Sequence, residues 1–598
     1  PDPGVLPMSH PPAALASRRL PAETASAVSR GPRPRIHVPT ALRLLPLALA
    51  AALAATPPAA RAQTPPTPLP PAAEPGREAP RPVLPQSTRA APPVAVPRAL
   101  ASEAPPGARD TRFVLNELVV DGATAYPAES LRGLYAPLLG REVSVAEVFA
   151  AAQAIEQRYR NDGFVTTRVI VPQQTVENGR FRIVVVEGHI AQLVFQGEVG
   201  AARAAVETLL QPLRGQRPVN IAEIERRLLL ANDLPGFTVQ GTLEASQTEP
   251  GGSILIVRAE RRPRDVSLTL DTRASPYLDS RQLSAQAAWY GLGERAERFG
   301  LNARTSGPGG RSASVGLNLD ALITALGGTL SLGASHARSR PGRELDVLDV
   351  QSRVDNLSGT WAQPVIRSRE HNLRAVAQLE MRRVSTDLAG TAFTRDRLDV
   401  LRAGLSWDRA DRFDGISTAR VMLHQGLTGL GSSEPPAALA SRVNGRRDFS
   451  KLTLDLTRLQ QLGPRSHLLA SLTAQISRHA LLASEELSLG GASYGRAFDD
   501  GEVAGDNGYA VMVELRHQPA FLPRQGQVYG FADAGKVWAA EGGAVPARPK
   551  LASLGGGLRL QLSGSLMATL EVAKPLNTEV RTRGTRSPRA FVAINAAF

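Results

Sequence analysis

The chain has 598 residues, a length that accommodates several domains, and its formal net charge is +14 at pH 7. It contains no cysteine, which excludes disulfide bonds and thiolate metal sites. The arginines are spread along the whole sequence and do not concentrate in one patch or helix. We therefore expect no nucleic-acid partner.

The first distinctive segment is residues 41–60, which read ALRLLPLALAAALAATPPAA. Arginines precede this apolar stretch and the small-x-small site Ala60-Arg61-Ala62 follows it, a pattern typical of a secretory signal peptide. The alternative is a membrane anchor, which Pro46 and the short apolar core disfavour. We predict a signal peptide with an extended n-region over residues 1–62 and a mature chain that begins near Gln63.

Residues 63–110 are rich in proline, with 14 prolines in 48 residues. Such a composition cannot bury a core, and it predicts a disordered linker. No window after this segment holds eighteen consecutive apolar residues, so no transmembrane helix is expected there.

Two small α/β units follow, over residues 113–190 and 191–263. The first reads as a strand, a short helix, a longer helix that Ser144 can cap with Glu147 three residues later, and two alternating strands. The second repeats this β-α-α-β-β order, with Asn220 as the candidate cap of its second helix. The alternative is a pair of unrelated α/β domains, and neither unit contains a catalytic cluster.

Residues 264–598 alternate in character over segments of about ten residues that are separated by Gly, Pro, Asp and Asn. In one segment Leu401, Ala403, Leu405 and Trp407 share a face, as expected for a membrane-spanning β-strand. We predict sixteen antiparallel strands, a number that favours an outer-membrane β-barrel over a soluble β-sandwich. Their predicted starts lie near Asp265, Gln282, Arg298, Ser312, Thr329, Val354, His371, Leu398, Ser417, Phe449, Ser466, Tyr509, Gln527, Leu551, Leu566 and Ala590.

Two short motifs suggest catalysis, but neither has the required surroundings. Residues 491–495 match the nucleophile elbow G-x-S-x-G, yet the sequence after Ser493 is rich in glycine and has no helical repeat. Residues 530–537 match a P-loop except at the last position, where Val537 replaces the Ser or Thr that binds Mg²⁺. We expect no enzyme activity, no cofactor and no metal.

The order of segments resembles the two-partner secretion transporters (TpsB family, ShlB/FhaC/HecB type), which are related to the BamA assembly factors. The α/β units are similar to tandem POTRA domains, and VVEGHIAQLVFQG is the most family-like stretch. The chain ends AFVAINAAF, in which Val592, Ile594, Ala596 and Phe598 share a face. This ending is similar to the C-terminal signature of outer-membrane barrels.

In that family a long loop before the twelfth strand folds back into the pore, and its tip carries an Arg-Gly-Phe/Tyr motif. The corresponding residues are Arg496, Ala497 and Phe498, with alanine in the glycine position. The resemblance implies that Arg496 pairs with the acidic residue of an F-x-D-x-G motif, here Asp533. Arg496, Phe498 and Asp533 are therefore the predicted pore-loop lock. The other loop and strand motif residues are Gly490, Gly491, Gly505, Asp506, Gly508, Glu514, Phe531 and Gly535.

The residues around Asp533 support its part in this prediction independently. Val528, Gly530, Ala532 and Ala534 make a small, apolar face, so Asp533 must point into the lumen, since a carboxylate that faces lipid is costly. A lumenal carboxylate that is partly desolvated favours a guanidinium partner, whereas the alternative is a hydrated side chain.

The resemblance implies an outer-membrane pore that exports a TpsA-like exoprotein, with POTRA domains in the periplasm that capture the partner by strand addition. It also implies contact with outer-membrane lipid and insertion by the barrel assembly machinery. The alternatives are a BamA-type barrel assembly factor, which more often has three to five POTRA domains, and a passive porin. The resemblance leaves an N-terminal plug helix undecided, because the linker is rich in proline.

Overall fold

The structure is a computed structural model that describes residues 70–73, 80, 82, 83, 94 and 103–598, except 307–309, 430–436, 443 and 523–525. The predicted signal peptide, residues 1–62, and most of the predicted linker lie outside the described residues. No helix in these described ranges is long and apolar enough to cross a membrane.

The first α/β unit packs two helices on short strands. Its elements are β1 (Arg112–Leu115), β2 (Glu117–Asp121), α1 (Ala128–Arg132), β3 (Arg141–Ser144), α2 (Val145–Asn161), β4 (Arg168–Ile170) and β5 (Arg180–Val186). The sheet order is β2-β5-β4, and β1 pairs with β3. Helix α2 begins at the predicted capping box of Ser144 and Glu147, and it buries Ile155 and Tyr159 in the core.

The second unit has the predicted β-α-α-β-β order. Its elements are β6 (His189–Gln196), α3 (Arg203–Leu210), α4 (Ile221–Asn232), β7 (Phe237–Ala245) and β8 (Gly252–Arg261). Strand β8 lies in the middle of the sheet, parallel to β6 and antiparallel to β7. The Asn220 side chain caps α4 by accepting the amide of Ala222.

A closed barrel of sixteen antiparallel strands follows. Its strands are β9 (Arg264–Asp271), β10 (Gln282–Tyr290), β11 (Arg298–Ser306), β12 (Ser312–Leu322), β13 (Thr329–Ser339), β14 (Val350–Arg367), β15 (His371–Leu388), β16 (Thr391–Ala410), β17 (Gly415–Leu427), β18 (Ser450–Gly463), β19 (Ser466–Ser477), β22 (Asn507–His517), β23 (Gln527–Trp538), β24 (Lys550–Gln561), β25 (Leu566–Pro575) and β26 (Arg589–Ala597). Two short strands between β19 and β22, β20 (Leu487–Leu489) and β21 (Val503–Gly505), form a separate hairpin.

Side chains alternate between the outer wall and the lumen. On β22 the exposed residues Tyr509, Val511 and Val513 face outward, whereas Met512 and Glu514 are buried on the lumenal side. The barrel closes where β26 pairs with β9 over five positions, from Ala593 opposite Asp271 to Ala597 opposite Ser267, and backbone hydrogen bonds between Phe598 and Val266 extend this pairing by one position. This closure is shorter than any other strand pairing in the barrel.

The predicted strand starts agree with the structure within two residues at fourteen of the sixteen strands. The two larger errors are at β14, which begins at Val350 and not near Val354, and at β16, which begins at Thr391 and not near Leu398. These strands have 18 and 20 residues. Their first residues extend beyond the apolar belt, where the sequence has no lipid-facing alternation to indicate a strand.

The second α/β unit contacts one end of the barrel, which we call the near end; the opposite end is the far end. Arg367, at the end of β14, forms a bidentate ion pair with Asp233, with both N–O distances 2.7 Å. Arg227 donates from its guanidinium to the carbonyl of Ala325 in a near-end turn, at 2.9 Å. The second unit is thus joined to the barrel by these polar contacts and by Ala296 and Leu322 of the barrel, which pack in its core.

A few residues of the predicted linker fall within the described residues, and they pack against other parts of the chain. Ala73 is buried in a cluster with Tyr277 and Leu345 of far-end connections. The carbonyl of Val83 accepts a hydrogen bond from the Thr418 hydroxyl at 2.9 Å, and Val94 joins the core of the second α/β unit. At these positions the segment contributes to packing, which the composition alone does not predict.

Candidate functional site

The connection between β19 and β22, residues 478–506, is called the pore loop here. It contains a two-stranded hairpin, β20 (Leu487–Leu489) and β21 (Val503–Gly505). Gly491, Ser493 and Arg496 of this loop line a cavity of about 1310 Å³ together with inward-facing residues of the barrel strands. The pore loop therefore lies inside the lumen.

Two motif glycines allow the loop to reverse within this narrow space. Gly490 has φ of +123° and Gly491 has φ of +86°, conformations that L-residues with a side chain rarely adopt. A Cβ atom on Gly490 would lie 2.0 Å from the carbonyl oxygen of Asp499. Ala497 does not have positive φ; Gly495, with φ of +77°, supplies the turn beside Arg496.

Three further motif glycines lie where the hairpin meets the barrel wall. A Cβ on Gly508 of β22 would lie 2.7 Å from a methyl carbon of Leu487, and one on Gly535 of β23 would lie 2.6 Å from a methyl carbon of Leu489. Gly505, at the end of β21, lies against Val537, with 3.0 Å between the two Cβ positions. These glycines let the hairpin approach the wall closely.

The Arg496 guanidinium lies between two carboxylates on the wall. It donates to Glu514 of β22 and to Glu571 of β25, the latter also through Nε at 3.3 Å. Its central carbon is 3.8 Å from the ring centroid of Phe531, a cation–π contact. All three charged side chains are almost completely buried.

Asp533 points into the lumen, but its contact with Arg496 differs from the predicted ion pair. Its carboxylate accepts the backbone amides of Gly495 and Arg496, at 2.8 and 3.2 Å, and the Ser553 hydroxyl. The guanidinium turns away because Glu514 and Glu571 offer it two carboxylates. The prediction of a guanidinium–Asp533 pair is therefore corrected, although Asp533 still fixes the loop at Arg496.

More cations surround the two carboxylates. Glu571 also binds Arg273 and accepts the Tyr529 hydroxyl at 2.7 Å, while Glu514 binds Arg559 at 3.0 Å. Arg273 in turn donates to the carbonyl of Arg496 at 3.2 Å. The tip of the loop is thus held by a buried, charge-assisted hydrogen-bond network.

Phe498 anchors the loop by apolar contact. It is 1% exposed and belongs to a buried cluster with Tyr494, Leu551 and Phe591. The side chain of Arg589 donates to the carbonyl of Ala497 at 3.0 Å. Polar and apolar contacts therefore hold the Arg496–Phe498 tip together.

A second charged anchor, at the stem of the pore loop, was not predicted. Glu485 is buried and pairs with Arg402 of β16 at 2.9 Å and with Lys451 of β18 at 2.8 Å. Arg402 also binds Glu380 of β15 at 2.8 Å, and Gln475 of β19 donates to the Glu485 carbonyl at 3.0 Å. This stem anchor lies on β15–β19, whereas the tip network lies on β22–β25 and Arg273.

Asp506, at the end of the loop, is fully buried. It accepts the backbone amides of Leu481 and Ala540 at 2.8 and 2.9 Å and pairs with Arg442. The motif aspartate thus ties together three far-end connections: the pore loop, residues 428–449 and residues 539–549. This contact explains why an acidic residue at this point stabilises the loop.

The two catalytic motifs adopt structures that do not suit catalysis. Residues 491–506, which include the apparent elbow, contain a turn and a strand and no helix, and His517 is hydrogen-bonded to Ser466 at 2.9 Å. The apparent P-loop, residues 530–537, lies within barrel strand β23. Neither stretch has the strand–turn–helix geometry that its motif requires.

Two POTRA-type units, a closed sixteen-strand barrel and a loop anchored in the lumen define a class of outer-membrane β-barrel transporters. The family model described as haemolysin secretion/activation protein ShlB/FhaC/HecB matches residues 251–560, and that of the ShlB-type POTRA domain matches residues 113–188. The chain belongs to this ShlB/FhaC/HecB family of two-partner secretion transporters, which export a partner exoprotein. It is an outer-membrane protein of Gram-negative bacteria whose POTRA domains lie in the periplasm, so the near end of the barrel faces the periplasm.

Several characterised proteins are similar to this chain. The heme/hemopexin transporter protein HuxB of Haemophilus influenzae strain 86-028NP is 22% identical over 471 residues, covering 74% of this chain and 80% of HuxB. The outer membrane transporter CdiB of Escherichia coli is 24% identical over 444 residues, covering 71% and 72%. A solved structure of Escherichia coli CdiB superposes with a TM-score of 0.68 at 19% identity, covering 86% of this chain and 95% of that structure.

Proposed function

We propose that the POTRA domains capture the unfolded N-terminal part of a TpsA-like exoprotein and pass it to a pore whose opening requires displacement of the pore loop. The observation that carries this proposal is the anchoring of Arg496 and Glu485 to different arcs of the lumenal wall. A loop tied at both points occupies space that a translocating chain needs. Its contacts must therefore exchange during export.

Capture by strand addition requires sheets with unpaired edges. The first POTRA sheet has β2 and β4 at its edges, and the second has β6 and β7. An extended segment can add to such an edge through backbone hydrogen bonds, with alternating side chains supplying the remaining contacts. Binding of this kind is tolerant of single substitutions in the partner.

The capture step is tested with residues 113–263 and the N-terminal part of the exoprotein. We expect the POTRA region alone to bind, with modest affinity. Binding only by the barrel would contradict the assignment.

The same proposal includes lipid and assembly partners. The exposed apolar residues of the outer wall, such as Tyr509, Val511 and Val513, fit contact with outer-membrane lipid. The Phe598 backbone forms hydrogen bonds with Val266 in both directions, at 2.8 and 3.2 Å, so the last residue takes part in barrel closure. This position supports a role for Phe598 in insertion by the barrel assembly machinery.

The pore-loop role is tested by secretion of the partner with Arg496→Ala, and Ser493→Ala serves as the matched control in the same loop. We expect Arg496→Ala to reduce secretion sharply while the amount of surface-exposed barrel stays unchanged. Ser493→Ala should secrete normally because Ser493 is only a loop residue. The opposite pattern would favour a catalytic serine and overturn the proposal.

A further inference from the structure

A groove of about 550 Å³ runs across the outer wall of the barrel on strands β12–β15. Its apolar floor includes Val315, Leu317, Leu357 and Met381, and its edge toward the far end is polar, with His336, Asp355 and Arg383. Because these side chains alternate with lumen-facing ones, the groove opens toward the membrane and not into the pore.

Two arginines lie beside this groove. On their strands they are the next outward-facing residues after His336 and Asp355 in the direction of the far end. Arg338 of β13 and Arg353 of β14 are register partners, and both are exposed on the outer face. Like charges directly opposite each other on antiparallel strands are destabilising. In the part of the chain that the structure describes, neither guanidinium has a hydrogen bond or ion pair.

The nearby acidic residues are engaged elsewhere. Asp355 accepts from His336 at 2.7 Å, and Asp399 binds Arg383 at 2.8 Å. No carboxylate of the described residues forms an ion pair with Arg338 or Arg353, so the outer wall presents two unpaired guanidinium groups beside the groove.

The height of the arginine pair corresponds to the edge of the apolar belt. Strand β13 ends at Ser339, one residue after Arg338; beyond the exposed pair His336 and Asp355, the exposed outer-face residues toward the near end are apolar, among them Leu332 and Leu357. Charged side chains are tolerated at this depth because lipid headgroups and water reach it. The far end is the outer side of the membrane, so the pair faces the outer leaflet.

We propose that Arg338 and Arg353 bind a phosphate of an outer-leaflet glycolipid, whose acyl chain lies in the adjacent groove. A phosphate accepts bidentate hydrogen bonds from two guanidinium groups and cancels their mutual repulsion. The apolar floor formed by Val315, Leu317 and Leu357 covers the chain below the headgroup. This inference rests on the outer-membrane location and does not depend on which exoprotein is exported.

The test uses the purified full-length mature protein in a neutral detergent, with lipid binding measured by native mass spectrometry. The probes are bisphosphorylated lipid A, the same glycolipid after removal of its phosphates, and inorganic phosphate. The variant is Arg338→Gln/Arg353→Gln, with Arg353→Gln alone as a milder version. The matched control is Arg409→Gln/Arg412→Gln, which removes two exposed arginines at the near end.

We expect Arg338→Gln/Arg353→Gln to weaken binding of bisphosphorylated lipid A about tenfold or more, since each basic group near a lipid surface contributes to affinity. Arg353→Gln should give an intermediate loss, and the control should stay within about twofold of the unmodified protein. Without lipid, Arg353→Gln should be at least as heat-stable as the unmodified protein, because it removes a repulsive pair.

Three results would overturn the proposal. The first is equal binding of lipid A by the double variant and the unmodified protein. The second is equal binding of the glycolipid with and without its phosphates. The third is complete displacement of lipid A by inorganic phosphate, which would identify a site for free phosphate and not for a lipid headgroup. Unchanged migration of unheated samples on gels verifies that each variant has folded.

Discussion

At the scale of single residues, the backbone and the side chain of Arg496 are held by different carboxylates at the tip of the pore loop. The backbone amide is held by Asp533, while the guanidinium is held by Glu514 and Glu571. Substitutions at these carboxylates therefore remove different contacts. A neutral acceptor can still bind the backbone amides that Asp533 holds. A neutral group in place of Glu514 or Glu571 would leave the buried guanidinium of Arg496 without one of its opposite charges.

This division predicts different outcomes for two substitutions at Asp533. Asp533→Asn keeps a carbonyl oxygen that can accept an amide, so most secretion of the partner should remain. Asp533→Ala leaves the buried amides of Gly495 and Arg496 unpaired, at a cost of about 1–3 kcal/mol for each group, and secretion should fall strongly. The measurement is secreted partner relative to surface-exposed barrel; an equal defect in both variants would show that the charge of Asp533 is what matters.

The stem anchor gives a second prediction. Glu485→Gln removes the charged partner of Lys451 and Arg402, and breaking a buried ion pair costs about 3–5 kcal/mol. The loop should leave the lumen more often, which should raise the frequency of open states in single-channel recordings from planar bilayers. Glu294→Gln, an exposed near-end substitution, is the matched control. Recordings identical to those of the control would show that the stem does not hold the loop.

At the scale of elements, the hairpin of the pore loop depends on backbone shape as much as on charge. Gly490→Ala would place a Cβ 2.0 Å from the carbonyl oxygen of Asp499 at a φ of +123°, a strain of about 1–3 kcal/mol before any steric clash. We expect this variant to insert normally but to secrete poorly. Gly564→Ala is the control, since its Cβ would meet no atom within 4 Å. Normal secretion by Gly490→Ala would contradict the close packing described above.

Glu187, near the C-terminal end of the first POTRA domain, is held by hydrogen bonds from within that domain. Burial alone would raise the pKa of this carboxyl, but hydrogen bonds from Thr124, the Ala125 amide and Tyr159 outweigh it and hold the pKa below its ordinary value. A lowered folded-state pKa stabilises the domain fully above about pH 4.5, the ordinary pKa of glutamate, and this contribution is lost as the pH falls through the folded-state pKa.

Accordingly, Glu187→Gln should lower the thermal stability of the POTRA region at neutral pH. It should also flatten the fall in stability that the unmodified protein shows below about pH 4.5. Thermal unfolding followed across a pH series checks both effects. If the thermal stability of Glu187→Gln falls at low pH in the same way as that of the unmodified protein, another acidic group causes this loss.

Much of the fold at this scale follows from sequence periodicity. Strands that cross the membrane alternate with a period of two, which is why the starts of β10–β13 are predicted to the residue. The same alternation places Glu514, Asp533 and Glu571 on the lumenal face. It does not reveal which of them meets Arg496, because Glu571 is 75 residues away and strand register and loop shape decide the contact. The Glu485 anchor has no local motif either, since its partners come from distant strands.

At the scale of the whole molecule, the near-end ion pair of Asp233 and Arg367 joins the second POTRA domain to the barrel. Asp233→Arg or Arg367→Asp alone should loosen this contact by about 1 kcal/mol or more, whereas the double charge reversal should restore it. Hydrogen–deuterium exchange of α4 in detergent measures the effect. No recovery in the double variant would show that other contacts, such as Arg227 with the Ala325 carbonyl, fix the junction.

The short pairing of β26 with β9 has a kinetic consequence. It joins residues more than 300 positions apart, so the entropy of loop closure makes it one of the last pairings to form during folding. Until that moment both strands present unpaired backbone groups, which readily recruit strands from other chains. The longer the edges of β9 and β26 stay unpaired, the greater the chance that the chain aggregates in the periplasm. A cellular factor that pairs temporarily with one of these edges would protect it from other chains until β9 and β26 pair, without changing the final structure.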